Sequence, residues 1–181
     1  MKGLVQYRPF LLYAGRREEG KGWPVLLNAF AGAVARGADL DLVTMGVGAI
    51  DVPPSIRERV HDLGFLPDDA APDAFAAAAA YVQPSRNESF SRTVMEAWLA
   101  GTPVLANAES DVVRWHCERS GAGVTWTGVG ELSAAIEALA ASPTAFAELA
   151  KPGRDYVLQH YTWPTVLDQM ESSLEKMPWP R

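Results

Sequence analysis

The chain has 181 residues, 48% of them hydrophobic and 21% charged, and a net charge of -6. That length and composition suit one domain with a substantial core. The acidic balance argues against nucleic acid as a partner, so any anionic ligand must be met by a few local cations.

Apolar runs alternate with helical patterns along the chain. Residues 10–14 read as a buried strand ended by Gly15, and 23–36 as a helix with Leu26, Leu27, Phe30 and Val34 on one stripe. A second strand covers 40–45 and ends at Gly46. Residues 53–62 read as a short helix and 63–66 as a short strand. An alanine-rich helix over 73–79 leads into a strand at 80–83, closed by Pro84-Ser85. A helix over 92–100, capped by Gly101, precedes a strand at 103–106. The rest reads as a helix at 111–118, a strand at 123–126, and helices at 131–141, 144–160 and 164–176. Strands alternating with helices predict an α/β domain with a doubly wound parallel sheet, Rossmann-like, whose ligand sits at the carboxyl ends of the strands.

The single cysteine, Cys117, excludes an internal disulfide and a thiolate metal site, and it fits a reducing compartment. His61, His116 and His160 lack metal-ligand spacing. Residues 1–10 hold no long apolar stretch, and the run 74–82 is too short and too alanine-rich to span a bilayer. The chain reaches its first strand almost at once, as a domain cut from something longer would.

Two segments carry the chemistry. Gly15-Arg16-Arg17-Glu18-Glu19-Gly20-Lys21-Gly22 links the first strand to the first helix. Its glycines let a ligand approach the backbone, Arg16 is a forked donor, and Lys21 is a point charge near a helix start. Together they could neutralise a diphosphate; alternatively, this is a solvated charged loop. It is not a P-loop, because no Gly-Lys-Ser/Thr follows.

The second segment runs from Pro84 through Glu88, Ser89, Phe90 and Ser91 into Thr93, Val94 and Glu96. Small residues before a helix leave N–H groups open, and the helix N-terminus favours an anion. Glu88 and Glu96 could each accept hydrogen bonds from hydroxyls at the two ends of a nucleotide-sugar. The rival reading is a capping box over 93–96, with Thr93 as N-cap and Glu96 as its partner.

Together these segments resemble the C-terminal domain of the retaining GT-B glycosyltransferases of group 1, or family 4. Gly15-Arg16 with Lys21-Gly22 resembles the family's G-R-x4-K-G loop, Gly46-Val47-Gly48 its G-x-G, and Leu63-Gly64-Phe65-Leu66 its G-F-x segment. Pro84-Ser85, Glu88 and Glu96 resemble its P-S-x-x-E and E-x7-E signatures. Residues 97–104 resemble E-A-x-A-x-G-x-P-V.

The resemblance implies a sheet forming the C-terminal half of a GT-B fold. It also implies a single donor-binding domain over 1–176, with 161–176 crossing back to a missing N-terminal acceptor domain, and a frayed tail over 177–181. Arg16, Lys21, Thr93 and Val94 would bind the donor diphosphate, with backbone approach at Gly15. Glu88 would be the catalytic residue facing the transferred sugar, which Ser89, Phe90 and Ser91 also touch. Glu96 would hold the ribose, and Phe65 and Leu66 the base.

The donor would be a UDP- or GDP-sugar, with no cofactor, no metal and no nucleic acid. The location would be cytoplasmic, any contact with the inner face of the membrane being made through the missing domain. Two departures bear on sugar identity: Ser89 and Ser91 stand where the family has glycines, and 107–111 replaces a Gly-Gly turn.

Rival readings are a metal-dependent transferase using Asp39-Leu40-Asp41, a dinucleotide oxidoreductase, a nucleotide-sugar epimerase and a non-catalytic binding module. The oxidoreductase lacks the third glycine after Gly46-Val47-Gly48.

Overall fold

The computed structural model describes residues 8–177. Expectations about residues 1–7 and 178–181, most of the frayed tail included, lie outside the described residues.

Six strands form one parallel sheet in the order β3-β2-β1-β4-β5-β6. They are β1 (Phe10–Ala14), β2 (Asp41–Met45), β3 (Val60–Asp62), β4 (Ala80–Gln83), β5 (Val104–Asn107) and β6 (Val124–Trp126). Among the described residues, eight α-helices connect and cover them: α1 (Trp23–Ala35), α2 (Ala71–Ala77), α3 (Arg92–Leu99), α4 (Asp111–Ser120), α5 (Gly128–Ala141), α6 (Pro143–Ala147), α7 (Ala150–His160) and α8 (Trp163–Glu175).

The two-residue period of each strand divides the core into two layers. Leu11, Tyr13, Leu42, Val82 and Leu105 face the layer under α1 and α5. Leu12, Tyr81, Val104 and Ala106 face the layer under α3, α4 and α7, where Trp98 is fully buried. Gly153 lies against that Trp98 ring, where a Cβ would come within 2.5 Å of it, so α7 can pack closely on α3 only with glycine there.

Three elements differ from the sequence reading. The short strand expected at 63–66 lies three residues earlier, because β2 pairs Leu42 with Val60 and Thr44 with Asp62. Residues 63–66 form the loop beyond it, and the preceding helix shrinks to a 3-10 segment, Pro54–Arg59. The helix expected over 144–160 divides into α6 and α7, which places Pro152 in the first turn of α7, where a missing N–H costs nothing.

Strand order reverses between β1 and β4. A crevice opens there, outside the carboxyl ends of the two strands, between the loops that follow them.

Candidate functional site

The loop after β1 is fixed to its neighbours by backbone bonds. Gly15 N donates to the Met45 carbonyl at 3.0 Å, Arg17 N to Val47 at 2.9 Å, and Gly46 N to Gly64 at 2.7 Å. Arg17, whose side chain is only 4% exposed, donates to the Gly48 carbonyl at 3.1 Å and to Asp62 at 3.0 Å. These bonds hold the carboxyl-end loops of β1, β2 and β3 together. Tyr13 adds an Oη–H bond to the Arg16 carbonyl at 2.6 Å, and burial keeps its hydroxyl protonated far above the ordinary range.

A cleft of about 740 Å³ lies over these loops. Its wall brings together Gly15, Arg16, Phe65, Leu66, Thr93 and Glu96. Phe65 is 77% exposed, a large apolar ring presented to solvent and suited to meeting a flat ligand group. Arg16 is ion-paired with Glu18 at 3.1 Å, and Glu96 with Arg92 at 3.0 Å, all on the surface.

Lys21 and Glu88 lie outside the lining of this cleft but meet each other. Lys21 Nζ is 2.9 Å from Glu88 Oε1, which also accepts from Gln83 Nε2 at 3.1 Å. Glu88 is close enough for its charge to act on the Tyr13 and Tyr81 hydroxyls.

α3 begins at Arg92 with Ser91 as N-cap, so Thr93 is the second helical residue and the capping box over 93–96 is not formed. Thr93 Oγ1 instead accepts a hydrogen bond from buried Tyr81 at 2.8 Å. The Val94 side chain is fully buried and its N–H is donated to the Ser91 carbonyl at 3.0 Å. The Arg92 and Thr93 N–H groups have no acceptor among the described residues, so they are the donors α3 leaves open.

Of the remaining loop residues, Ser89 is exposed and Phe90 is partly so, while Ser91 is buried. Ser91 has φ 63°, the only left-handed non-glycine residue among those described. Its Oγ is buried without a hydrogen-bond partner among the described residues.

Sequence reasoning passed over Arg17, Gln83, Tyr13, Tyr81 and His116. Spacing alone cannot separate Arg16, which faces the cleft, from Arg17, which is buried. Asp39 and Asp41 are engaged at the opposite edge of the sheet, with Asp39 held by Arg8 and Arg59 at 2.9 Å each. Among the described residues, no three His, Cys, Asp or Glu side chains gather as a metal site. No helix among them is long and apolar enough to cross a membrane.

A doubly wound parallel sheet with an open cleft at its switch point defines a Rossmann-like class of α/β domain. The sequence model of the family described as glycosyl transferases group 1 matches residues 8–142, and the chain belongs to that family. It is 29% identical to the D-inositol 3-phosphate glycosyltransferase of Gordonia bronchialis, over 96% of this chain and 42% of the relative, so it spans about two fifths of that protein.

Among solved structures, Anabaena HepE in complex with UDP-glucose superposes with TM-score 0.80 at 22% identity, over 94% of this chain and 49% of HepE. The C-terminal domain of a group 1 glycosyl transferase (LpcC) from Francisella tularensis superposes with TM-score 0.72 at 16% identity, covering 86% and 87% of the two chains. The fold is thus the Rossmann-like α/β domain of GT-B glycosyltransferases.

Proposed function

We propose that this chain is the donor-binding domain of a retaining, metal-independent glycosyltransferase that moves a sugar from a nucleotide diphosphate to an acceptor hydroxyl. The observation that carries this reading is the joining, at one strand-order reversal, of Arg16, the open Arg92 and Thr93 amides, Glu96 and Phe65 in a single cleft. The base would lie on Phe65 and Leu66, with the ribose hydroxyls on Glu96. The diphosphate would meet Gly15, Arg16 and the start of α3, with Lys21 reaching it from the end of the first loop. The sugar would lie toward Glu88, Ser89, Phe90 and Ser91.

In transfer, negative charge grows on the leaving diphosphate. Preorganised cations and helix N–H groups stabilise that charge without reorganising, which lowers the barrier. Glu88 would face the reacting carbon, where a carboxylate stabilises positive charge developing on the sugar ring. The acceptor and the remaining catalytic groups belong to an N-terminal domain beyond this chain. α8 supports that division: Trp163, Leu167 and Met170 leave an apolar face exposed, suited to crossing back onto such a domain.

The reading is tested by calorimetric titration of UDP, GDP and ADP into the chain, with and without EDTA, and into the Arg16→Ala/Lys21→Ala double variant. Binding of one nucleotide that survives EDTA and is lost in the variant is expected. Equal binding by the variant, or no binding by the folded wild-type chain, counts against the site. Binding that requires a divalent metal overturns the metal-independent scheme.

A further inference from the structure

The loop that carries Ser89, Phe90 and Ser91 is held at its far end by a buried histidine that the reading above does not use. His116 on α4 is 2% exposed. Phe90 meets its ring edge-on at a centroid distance of 5.3 Å, and Phe90 also packs on Tyr161 at 5.1 Å. His116 Nδ1 lies 2.9 Å from Tyr156 Oη, which lies 3.1 Å from Tyr161 Oη.

Burial disfavours the charged ring, so His116, Tyr156 and Tyr161 form a hydrogen-bonded, neutral cluster whose His116 and Tyr161 rings grip Phe90. The next residue is Ser91, in its left-handed conformation, and the one after it opens α3.

The geometry points to His116 as a positioning residue for the transferred sugar: through its contact with the Phe90 ring it fixes Ser89 and Ser91 where the sugar of the donor would sit. This rests on the donor-binding reading above. Neither His116 nor Tyr156 lines the nucleotide cleft, so the effect falls on sugar recognition and spares the nucleotide.

Three variants test it: His116→Ala, His116→Gln, whose amide keeps bulk beside Phe90 and a hydrogen-bonding group for Tyr156, and Tyr156→Phe, which removes only the hydroxyl at Nδ1. Each is measured in two ways, by amide hydrogen exchange at 89–91 without ligand and by calorimetric affinity for UDP and UDP-glucose. In His116→Ala, exchange at 89–91 is expected to rise about tenfold. UDP-glucose affinity is expected to fall about tenfold while UDP affinity stays within about twofold. His116→Gln should recover most of both losses, and Tyr156→Phe should fall between.

Unchanged exchange in folded His116→Ala, equal loss of UDP and UDP-glucose, or no rescue by glutamine overturns the assignment. If His116→Ala does not fold, the glutamine and phenylalanine variants decide by the same readouts. A wild-type chain that binds neither probe, nor GDP or ADP, overturns the donor-binding reading and the sugar-binding consequence with it. The exchange measurement then still decides whether His116 fixes the loop.

Discussion

Lys21 Nζ and Glu88 Oε1 meet at 2.9 Å, joining the loop after β1 to the loop after β4 across the strand-order reversal. The cation expected to meet a diphosphate is thus neutralised within the chain by the carboxylate expected to meet the sugar. Arg16 with Glu18, and Arg92 with Glu96, repeat the pattern on the surface. The two surface pairs contribute about 0–1 kcal/mol each, so a phosphate can displace their carboxylates at small cost, while the less exposed Lys21–Glu88 pair gives way at a higher one. On the proposed function, donor binding would be an exchange of partners.

Replacing Glu88 with Gln therefore frees Lys21 for an anion. Glu88→Gln is expected to tighten UDP binding by about two- to fivefold, the equivalent of releasing one partly exposed pair. Lys21→Ala should weaken it about tenfold, the loss of one charge-assisted contact. In the Lys21→Ala background, Glu88→Gln should do nothing further, because its effect runs through that lysine. Calorimetry on the four chains checks this. An equal gain in both backgrounds would mean that Glu88 acts by general repulsion instead.

Gly22 couples the same two loops through its backbone. It has φ 73°, and a Cβ there would land on the Pro84 carbonyl. Gly22→Ala combines left-handed strain with a backbone clash and should destabilise by at least about 2 kcal/mol. The contrast is Gly37, at φ 97° with open space around it, where Ala adds strain alone, about 1 kcal/mol. Thermal unfolding followed by circular dichroism should place Gly22→Ala clearly below Gly37→Ala. Equal midpoints would show that the loop shifts freely to admit the methyl.

These couplings mark where the sequence could be read and where it could not. β1 and β4 were legible to the residue, because an apolar run closed by Gly15 or Pro84 has one reading. β3 was not, since His61 and Asp62 are exposed on an edge strand and only pairing with β2 makes them a strand. The division of α6 from α7 was signalled by Pro152, which a helix accepts only in its first turn, but the apolar pattern over 144–160 runs on through it. At the site, the spacing of Arg16, Lys21, Glu88 and Glu96 was visible. Their partners were not: Gln83 and His116 act through distances that only the folded sheet creates.

Ser91 carries a local conflict. Its left-handed φ costs about 1–2 kcal/mol in a non-glycine residue, and its buried Oγ has no partner among the described residues. Ser91→Gly relieves both and loses some of that gain to unfolded-chain entropy, for a net stabilisation of about 1 kcal/mol. If the hydroxyl serves the donor, the same change should weaken UDP-glucose binding severalfold. Opposite signs in unfolding midpoint and affinity would identify strain retained for binding. A rise in both would leave Ser91 with no role in the site.

His116 sets a pH dependence whose sign can be worked out. Burial is the main cause holding its imidazole below the ordinary range near 6.5, and the Arg119 charge adds to it against the Phe90 carbonyl. On acidification through about 6.5 the unfolded chain takes up a proton that the folded chain refuses. The imidazole's contribution to stability is therefore complete at neutral pH and falls as pH drops from about 6.5 toward the lowered folded value. Carboxylates such as Glu131, held low by the Thr127 amide and hydroxyl, also lose stability in acid, but lower on the scale. The informative quantity is thus the difference between wild type and His116→Gln. Unfolding midpoints measured from about pH 7.5 to 5.0 should fall more steeply in the wild type, with the gap opening below about 6.5. Parallel curves would mean that the folded ring titrates normally.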